Sequence, residues 1–582
     1  MKNKNTKIPQ MVLALRSVLL YVLLLSTTPT LQAQSWQWAN GGGSDDNLDS
    51  FAEEEVKSIC TDIYGNVYVS APVGLTNLYV AGVPKPTYAS IGSNDNVIAS
   101  FSCDGAYRWS KVIGGYRGSA RIHLSSDAAG NVYAAGSIRP GTNINLVAPH
   151  FDTDIVLPVS NSSTNTYKKN IYLIKYNAAG EVQWLRMPQP DDVSYSNSLS
   201  NYATFGMQVD ALGTSYWLCR LPVGLIANGA YTVTTAGFHI LKYDANGTFV
   251  SGFPLALQQS GSFDVKMRLN KNTGTIYFTG EVNQTEPGIS LIINGEPVTH
   301  SKYVAAFSNT GAFLWKRENA NVNLYGAGGI AFGVNSDINN NVYFTGATGG
   351  YDTFNGTPFT NEATTLPFLV KFDANGNTLW QTNGGKSSPR EVVVNGNEVA
   401  ITGKANGMTW QNLTSQLDIN TSGMPYLARF NTATGTIIAI NELTVDSGSS
   451  GTALATDSKG NYYLGGLFSS TLTAGTTTVT NIGGSSDFFV AKFGTTDCNF
   501  LATEQPEEQK LKMYPNPVKD YLHLENITNS TYVLYDVLGT VVAKGVVSEN
   551  SALNFSQLSS GLYVLEVVKN TGEKTVVKVL KE

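Results

Sequence analysis

Charged residues, histidines and catalytic motifs are all scarce in this sequence. Lys, Arg, Asp and Glu make up only 14% of the 582 residues, against about 25% in ordinary domains. The five histidines are scattered, without the close spacing of a metal site. Neither a GxSxG nucleophile elbow nor a phosphate-binding loop is present. The sequence therefore predicts no catalytic, cofactor-binding or metal-binding motif. The net charge of −6 does not indicate a basic surface that would bind nucleic acid.

Cysteine is also scarce. Four cysteines in a chain of this length do not form a disulfide scaffold, and no CxxC pair occurs. Cys60 and Cys103 both fall in the first of the repeats described below and could pair, whereas Cys219 and Cys498 fit buried thiols. The sequence leaves the pairing open.

Long hydrophobic runs are absent, and the apolar run Val18–Leu25 is much shorter than the roughly 20 residues that span a bilayer. The basic residues before it are Lys2, Lys4, Lys7 and Arg16. The run is followed by "TLQAQ", which places a small residue before a plausible cleavage site. We therefore expect a signal peptide over residues 1–33, cleavage between Ala33 and Gln34, export by the Sec machinery and no transmembrane anchor.

A short motif with an aspartate, a glycine and a tyrosine recurs along the chain, first as "DIYGNVYVS". In five copies the aspartate precedes the tyrosine by six residues: Asp62/Tyr68, Asp127/Tyr133, Asp210/Tyr216, Asp337/Tyr343 and Asp457/Tyr463. Apolar residues flank a Gly-Asn turn, which predicts a β-hairpin. Because a calcium loop needs several oxygen ligands at fixed spacing, one aspartate per hairpin favours an Asx turn over a calcium site.

A second hairpin motif follows each copy of the first. It has an aromatic residue, a glycine four residues later in five copies, and a tryptophan eight residues later in four, as in "YLIKYNAAGEVQW". The aromatic positions are Phe101, Tyr176, Tyr243, Phe307, Phe372, Phe430 and Phe493. Seven pairs of hairpins predict seven four-stranded units, and hence an all-β, seven-bladed β-propeller over residues 34–499. The tryptophans are expected to pack between the units.

The seventh unit is incomplete, because no tryptophan strand follows "FFVAKF". The segment "SWQWANGGG" (Ser35–Gly43) resembles that missing strand, with Trp36 or Trp38 at the tryptophan position. We therefore expect the N-terminal strand to complete the last unit and close the ring. The paired motifs resemble the SBBP-type propeller repeats of bacterial exported proteins, most clearly over Gly465–Phe493. That resemblance implies a fold and no specific activity.

The character of the sequence changes after residue 499. Residues 500–511 are polar and acidic, which is typical of a linker. Residues 512–582 alternate strand patterns with Pro, Asn and Gly turns, and predict a small Ig-like β-sandwich. This region resembles the type A C-terminal sorting domain of the type IX secretion system of Bacteroidota. The residues that carry the resemblance are Tyr514, Pro515, Asn516, Pro517, Asp536, Gly539, Gly561, Tyr563, Lys578 and Lys581.

The sorting resemblance implies a route for the protein. It implies a periplasmic intermediate, passage across the outer membrane by the type IX machinery and removal of the domain. Attachment to the cell surface or release into the medium would follow. The localisation expected from the sequence is therefore secreted or attached to the outer-membrane surface.

Two functions remain open for the propeller. The favoured one is a binding or adhesion module for a glycan, polymer or protein, with the ligand on long connections such as Arg139–Tyr167 and Asn283–Lys302. The alternative is a hydrolase or lyase acting on polysaccharide, with carboxylates from different blades at the axis. A carboxylate cluster in the channel would favour the enzyme, and a featureless channel with an aromatic rim would favour the binding module.

Overall fold

The computed structural model divides the chain into two compact units, Met1–Phe500 and Leu501–Glu582. It describes residues 34–46, 53–89, 93–116, 121–139, 147–159, 170–189, 202–260, 265–282, 290–300, 302–320, 333–348, 352–359, 366–415, 423–446, 448–498, 512–525, 530–537, 539–548, 551–569 and 574–582. The expected signal peptide, with Ala33, and the linker over 500–511 lie outside these ranges. The secondary structure of the described residues is all β, and none of these segments forms a helix long and apolar enough to cross a membrane.

The first half of unit 1 contains the strands of four sheets, in chain order. Strand β1 (Ser35–Gly43) comes first. Sheet 1 and its hairpin follow as β2 (Ser58–Thr61), β3 (Val67–Val73), β4 (Tyr79–Val80), β5 (Val83–Pro84), β6 (Asp95–Phe101) and β7 (Tyr107–Gly114). Sheet 2 and its hairpin are β8 (His123–Ser126), β9 (Val132–Ile138), β10 (His150–Phe151), β11 (Ile155–Val156), β12 (Asn170–Tyr176) and β13 (Val182–Arg186). Sheet 3 and its additions are β14 (Ala203–Val209), β15 (Ser215–Leu221), β16 (Gly224–Ile226), β17 (Tyr231–Val233), β18 (Gly237–Tyr243), β19 (Phe249–Pro254) and β20 (Leu257–Ser260). Sheet 4 and its hairpin are β21 (Val265–Leu269), β22 (Ile276–Glu281), β23 (Ser290–Ile293), β24 (Glu296–Pro297), β25 (Lys302–Phe307) and β26 (Phe313–Glu318).

The second half of unit 1 contains three further sheets. Sheet 5 is β27 (Gly333–Ser336), β28 (Val342–Thr348), β29 (Leu366–Phe372) and the first part of β30 (Thr378–Asn395). Sheet 6 is the second part of β30, β31 (Glu398–Trp410), β32 (Leu413–Thr414), β33 (Met424–Asn431) and β34 (Ile437–Glu442), followed by β35 (Thr444–Val445). Sheet 7 and its hairpin are β36 (Ser450–Thr456), β37 (Tyr462–Phe468), β38 (Thr471–Ala474), β39 (Thr477–Thr480) and β40 (Asp487–Gly494), with β1 as the fourth strand.

Each of these sheets is an antiparallel set in which the strands follow one another along the chain, apart from the return to β1. The first strands of consecutive sheets contact one another from β2 through β8, β14, β21, β27, β30 and β36, and β36 contacts β2. The second and third strands, such as β3 and β6, are buried along their whole length. Burial on both faces of each sheet explains why these strands are predominantly apolar.

The antiparallel order separates two ends of unit 1. Short turns join the first strand to the second and the third to the fourth, and we call this the turn end. Connections between the second and third strands, and between successive sheets, lie at the opposite end, the loop end. Parts of the long connections form hairpins that pair with the preceding sheet: β10 pairs with β7, and β4 pairs with β1. These hairpins link neighbouring sheets by backbone hydrogen bonds.

The recurring aspartate folds the turn between the first and second strands. At Asp62 the side chain accepts hydrogen bonds from the backbone N–H groups of Tyr64 and Asn66, at 2.9 Å each, and from Asn66 Nδ2 at 2.8 Å. The hydroxyl of Tyr68 donates to the same carboxylate at 2.8 Å. The copies at Asp127, Asp337 and Asp457 repeat this pattern. The carboxylates are therefore occupied by turn donors, as the Asx interpretation predicts.

In five of the sheets a tryptophan packs against a turn of the next sheet. The indole N–H of Trp109 in sheet 1 donates to the carbonyl of Ala178 in sheet 2 at 2.9 Å. The ring lies against Gly180, whose φ is +82° and where a Cβ would come within 2.6 Å of the indole. A side chain there would be both strained and sterically blocked, so glycine is required. Trp184, Trp315 and Trp380 make the same contact with the next sheet.

Strand β1 joins the last sheet to the first. It pairs antiparallel with β40, from Ser35 opposite Gly494 to Gly42 opposite Phe488. Trp38 then donates from its indole N–H to the carbonyl of Cys103 in sheet 1 at 2.8 Å and lies against Gly105. The N-terminal strand thus completes sheet 7, as the repeat pattern predicts, and Trp38 takes the tryptophan position.

The cysteine pairing differs from the one considered from the sequence. Cys103 forms a disulfide with Cys498, which follows β40, and the two are 395 residues apart in the chain. Cys60, which the sequence left open as a partner of Cys103, is a free thiol, and so is the buried Cys219. Proximity in the repeat was misleading because Cys103 lies at a turn that contacts sheet 7, whereas Cys60 lies on the first strand of sheet 1. The disulfide therefore joins the two sheets that β1 also joins.

We expect the disulfide to stabilise unit 1 substantially. Because it closes a loop of almost four hundred residues, the chain-entropy argument assigns it about 5 kcal/mol. The double variant Cys103→Ser/Cys498→Ser should unfold at lower denaturant concentration than the parent. Chemical reduction of the parent should give the same midpoint as the double variant, because Cys60 and Cys219 carry no disulfide. Equal midpoints for oxidised parent and variant would contradict the prediction.

The second unit contains two sheets with their own core. Its strands are β41 (Lys512–Tyr514), β42 (Tyr521–Glu525), β43 (Ser530–Tyr535), β44 (Val541–Val547), β45 (Ala552–Asn554), β46 (Gly561–Lys569) and β47 (Lys574–Lys581). One sheet has the order β41-β42-β45 and the other β44-β43-β46-β47. Leu522, Leu534, Phe555 and Leu565 are buried between them. This agrees with the small β-sandwich expected from the alternating pattern.

Candidate functional site

The first strands of all seven sheets line one cavity near the turn end. This turn-end cavity has a volume of about 310 Å³ and takes residues from β2, β8, β14, β21, β27, β30 and β36 or from the turns that follow them. Its charged lining residues are Arg268, Lys271 and Asp337. The side chains of these strands therefore converge on a common axis, which makes the axis the natural place to look for a site.

The reactive groups of the turn-end cavity are occupied or poorly ionised. Lys271 donates from Nζ to the carbonyl of Ser126 at 3.1 Å, and burial lowers the pKa of its ammonium group. Burial raises the pKa of the Cys60 thiol to about 12, which disfavours the reactive thiolate. Asp337 accepts the turn hydrogen bonds described above. None of the described lining residues combines an activated nucleophile with a base.

A second axial cavity lies near the loop end and is cationic. This loop-end cavity has a volume of about 210 Å³, and its lining includes Lys57, Arg121, Lys266 and Arg268 together with the carboxylate of Glu391. Within the part of the chain that the structure describes, the cavity therefore has four cationic side chains and one carboxylate. In a protein of net charge −6, this local reversal of sign favours an anionic ligand.

Ion pairs engage three of the four loop-end cations among the described residues. Glu391 Oε2 lies 3.0 Å from a guanidinium nitrogen of Arg268 and 3.4 Å from Lys266 Nζ. Lys57 pairs with Glu55 beside it. At such a partly enclosed site, charge interacts more strongly than in bulk water.

A pair of buried carboxyl groups lies off the axis, where β1 meets sheet 7. Glu54 accepts hydrogen bonds from Ser44 N at 2.9 Å and from Gly74 N at 2.7 Å. Asp487 accepts one from Ile482 N at 2.7 Å, while its Oδ1 is buried without a partner. Burial raises the pKa of Glu54 to about 8 and that of Asp487 to about 7. Raised carboxyl pKa values also occur in catalytic sites, but both groups are nearly inaccessible to solvent and line neither axial cavity.

These two carboxyl groups should make the stability of unit 1 depend on pH. Their folded-state pKa values lie above those of an unfolded chain, so the stability they contribute is present at low pH and is lost as pH rises through about 7 and 8. We expect Asp487→Asn to raise the melting temperature at pH 8.5 by roughly 2–4 °C and to flatten its decline with pH. Thermal unfolding from pH 5.5 to 9 measures this. Asp244→Asn, which changes a carboxylate in a turn of sheet 3, should retain the parental slope; an unchanged slope in Asp487→Asn would contradict the prediction.

The residues of the C-terminal motif hold the second unit together. Asn516 accepts a hydrogen bond from Leu580 N at 2.8 Å and donates to the carbonyl of Lys578 at 3.0 Å. Tyr563 donates from its hydroxyl to the carbonyl of Ser559 at 2.8 Å. The motif thus joins the start of the unit to its last strand. These hydrogen bonds would maintain the surface that a secretion machinery recognises.

The remaining motif residues occupy turns, strand ends and exposed positions. The peptide bonds before Pro515 and Pro517 are cis. Asp536 accepts a hydrogen bond from Gly539 N at 3.1 Å, and Gly539 has a φ of +82°. Tyr514, Gly561 and Lys581 lie at exposed or half-exposed ends of strands, and Lys578 is exposed within β47.

Comparison with protein families identifies this unit. Its residues 512–582 match the family described as a secretion system C-terminal sorting domain. The second unit is a type IX sorting domain. The sorting domain marks the chain as an exported protein delivered by type IX secretion, either secreted or displayed on the cell surface. The type IX machinery is therefore a partner of the sorting domain.

Other comparisons say little about the unit that precedes the sorting domain. No curated protein matches the sequence. A Dyadobacter fermentans protein of unknown function is 10% identical, with 66% of this chain and 95% of that one covered and a TM-score of 0.34. A gluconolactonase from Xanthomonas campestris is 11% identical, with 66% and 97% covered and a TM-score of 0.27. A Bacteroides vulgatus protein of the DUF4221 family is 10% identical, with 65% and 93% covered and a TM-score of 0.29. Likenesses this weak carry no conclusion about function.

Sequence reasoning missed the axial cations. Lys57, Arg121, Lys266 and Arg268 come from three sheets and fall in no shared local motif. A signal was present, because each lies within the six residues that precede the Asp or Asn of a first turn. That position is the first strand of a sheet, which faces the axis. Gln34, the residue after the expected cleavage site, lies beside β1 and accepts a hydrogen bond from Arg429 at 2.8 Å.

Proposed function

We propose that residues 34–499 form a seven-bladed β-propeller that binds an acidic polysaccharide at its loop-end cavity. The propeller assignment is supported by seven antiparallel sheets whose first strands contact one another in a closed order. It is also supported by β1, which gives sheet 7 its fourth strand. The fold in turn places the loop-end cavity on the axis, where a ligand can touch several sheets at once.

The charge of the loop-end cavity carries the proposal for the ligand. Arg121, Lys266 and Arg268 lie on or just before the first strands of sheets 2 and 4, and with Lys57 they give the described lining of the cavity four cationic side chains beside the carboxylate of Glu391. A binding site for neutral glycans would instead be built from amides, hydroxyls and exposed aromatic rings. Five tryptophans donate to turns of neighbouring sheets, and Trp217 and Trp410 are fully buried, so none of these seven is available as an aromatic rim.

The hydrolase alternative finds less support than the binding module. Hydrolysis of a glycosidic bond uses two carboxyl groups, about 5–10 Å apart, on either side of the substrate. Among the described lining residues of the loop-end cavity, Glu391 is the single carboxylate, and it is ion-paired. We therefore favour the binding module for an acidic glycan, with acidic proteins as the competing ligand class in the test.

The export route is proposed in the form that the sequence predicts. Residues 1–33 would act as a signal peptide that the Sec machinery reads, with cleavage between Ala33 and Gln34. The chain would then cross the periplasm and the outer membrane, where the sorting domain is removed. Attachment to the outer-membrane surface or release into the medium completes the route.

We expect the variant Arg121→Gln/Lys266→Gln to bind polygalacturonate at least tenfold more weakly than the parent. The two substitutions remove positive charge and keep the side chains polar and similar in size. Titration calorimetry at 50 and 200 mM salt measures the affinity, and the parent should lose affinity at the higher salt because charge is screened. Lys459→Gln, at a partly exposed lysine of the turn end that pairs with Asp497, should bind as the parent does.

Two outcomes would contradict this function. One is equal affinity of the double variant and the parent for polygalacturonate. The other is preferential binding of an acidic protein such as casein over the polysaccharide. Release of reducing ends from polygalacturonate by the parent would instead establish the hydrolase or lyase alternative.

A further inference from the structure

A separate pocket opens between sheets 6 and 7 near the loop end. We call it the sheet 6–7 pocket. Its volume is about 270 Å³, and its lining includes Arg390 and Lys404 from sheet 6 and a group of serines from sheet 7 and its connections. The serines are Ser449, Ser450, Ser469, Ser485 and Ser486. Five hydroxyl groups beside two cationic side chains form an unusually polar lining for a cleft between packed sheets.

Two buried donors at this pocket have no acceptor among the described protein atoms. They are Nε of Arg390 and Oγ of Ser486. Ser486 as a whole is 5% exposed. Native proteins pair nearly all buried polar atoms, because a buried donor without an acceptor costs free energy. A ligand that brings oxygen acceptors to this pocket would satisfy both donors.

Two other serines of the pocket already donate their hydroxyl protons and so can act only as acceptors. The hydroxyl of Ser469 donates to the carbonyl of Gly448 at 2.7 Å, and that of Ser450 donates to the carbonyl of Gly451 at 3.3 Å. Since a hydroxyl has one proton, both oxygen atoms keep only acceptor capacity toward the pocket. The lining therefore offers cationic donors for an oxyanion and hydroxyl acceptors for O–H groups of the same ligand.

This combination matches a sugar that carries a carboxylate. We propose that the sheet 6–7 pocket binds a uronate residue, with its carboxylate at Arg390, Lys404 and Ser486 and its ring hydroxyls at Ser450 and Ser469. The volume is just below the range of about 300–1,000 Å³ typical of pockets for drug-sized ligands, which fits a single sugar ring. Glu53 also lines the pocket, at an exposed position, and reduces its excess of positive charge from two to one.

The pocket is distinct from the loop-end cavity, although one strand serves both. Arg390 and Glu391 are consecutive on β30, at the point where its pairing with β31 shifts register between Pro389 and Glu391. Glu391 lines the axial cavity and Arg390 lines the sheet 6–7 pocket. The inference rests on the unpaired donors and the serines, and it stands whether or not the axial cavity binds a polymer.

Monomeric glucuronate tests the pocket in the complete exported chain. Titration calorimetry should detect binding of sodium glucuronate, and methyl glucoside should not bind. Arg390→Gln should weaken glucuronate binding at least tenfold and Ser486→Ala at least threefold. Lys386→Gln is the matched control, because Lys386 is an exposed lysine of the same strand that does not line the pocket; it should bind within twofold of the parent.

The remaining outcomes decide the assignment. Parental affinity in both Arg390→Gln and Ser486→Ala would overturn it, and circular dichroism confirms that each variant is folded. If Arg390→Gln fails to fold, Ser486→Ala together with Lys404→Gln takes its place. Inorganic sulfate that competes as well as glucuronate would overturn the sugar and leave a general oxyanion site. Weaker glucuronate binding by Arg121→Gln/Lys266→Gln alone would assign the monomer to the axial cavity instead, which also overturns the proposal.

Discussion

Deleting residues 512–582 should abolish delivery to the cell surface and the medium while unit 1 still folds. The reason is that each unit has its own hydrophobic core: Leu522, Leu534 and Leu565 pack with other residues of the sorting domain, whereas the clusters of unit 1 contain residues of unit 1 alone. The truncated protein lacks the sorting domain but keeps the folded unit 1. Cell fractionation and protease treatment of intact cells should find it inside the outer membrane, protected from the added protease.

The reciprocal experiment serves as the control. A folded reporter with an export signal and residues 512–582 at its C-terminus should reach the surface or the medium. Its mass after delivery should lack the sorting domain, because the proposed route removes that domain. Truncated protein at the cell surface, or a mature surface form that keeps residues 512–582, would refute the sorting role.

Deleting Ser35–Gly43 should destabilise unit 1 more than any point substitution discussed here. The deletion exposes the backbone edge of β40, removes the partner of the β4–β5 hairpin and removes the contact of Trp38 with sheet 1. An unpaired edge in a large sheet protein also promotes association between chains. We expect the melting temperature to fall by at least about 10 °C, since the strand contributes several kcal/mol and each kcal/mol is equivalent to roughly 2 °C in a large domain.

Adding the missing strand back provides the sharpest control. A synthetic peptide with the sequence Ser35–Gly43 should restore much of the lost stability, and the same peptide with Trp38→Ala should not. A deletion of equal length between Val156 and Asn170 should cost far less, because shortening a connection changes its closure entropy only slightly. Equal melting shifts for the two deletions would refute the role of β1 as the closing strand.

The sequence predicted most of the local structure of unit 1. Asp62 and its copies specify the first turn by bonds within six residues, so the hairpins were visible as repeats. The glycine and tryptophan of the second hairpin were equally visible, although the reason for their spacing is a contact with the next sheet. Even β1 could be assigned, because its residues repeat a pattern that occurs elsewhere in the chain.

The cysteine pairing and the grouping of the axial cations could not be predicted from the sequence. Cys103 was considered as a partner for Cys60 because both lie in one repeat, yet its partner Cys498 follows the last sheet. Arg121 and Lys266 are 145 residues apart and meet at one cavity. No local pattern records either contact, since both depend on which sheets become neighbours.

The sequence by itself determined the hairpins, the division of the chain near residue 500 and the sorting domain, because each depends on residues close together in the chain. Only the tertiary structure decided the Cys103–Cys498 disulfide, the cationic loop-end cavity and the sheet 6–7 pocket. The physical reason is common to all three. The residues involved lie near the first strands of different sheets or after the last strand of unit 1, far apart in the chain. Packing the sheets side by side brings their side chains within contact distance.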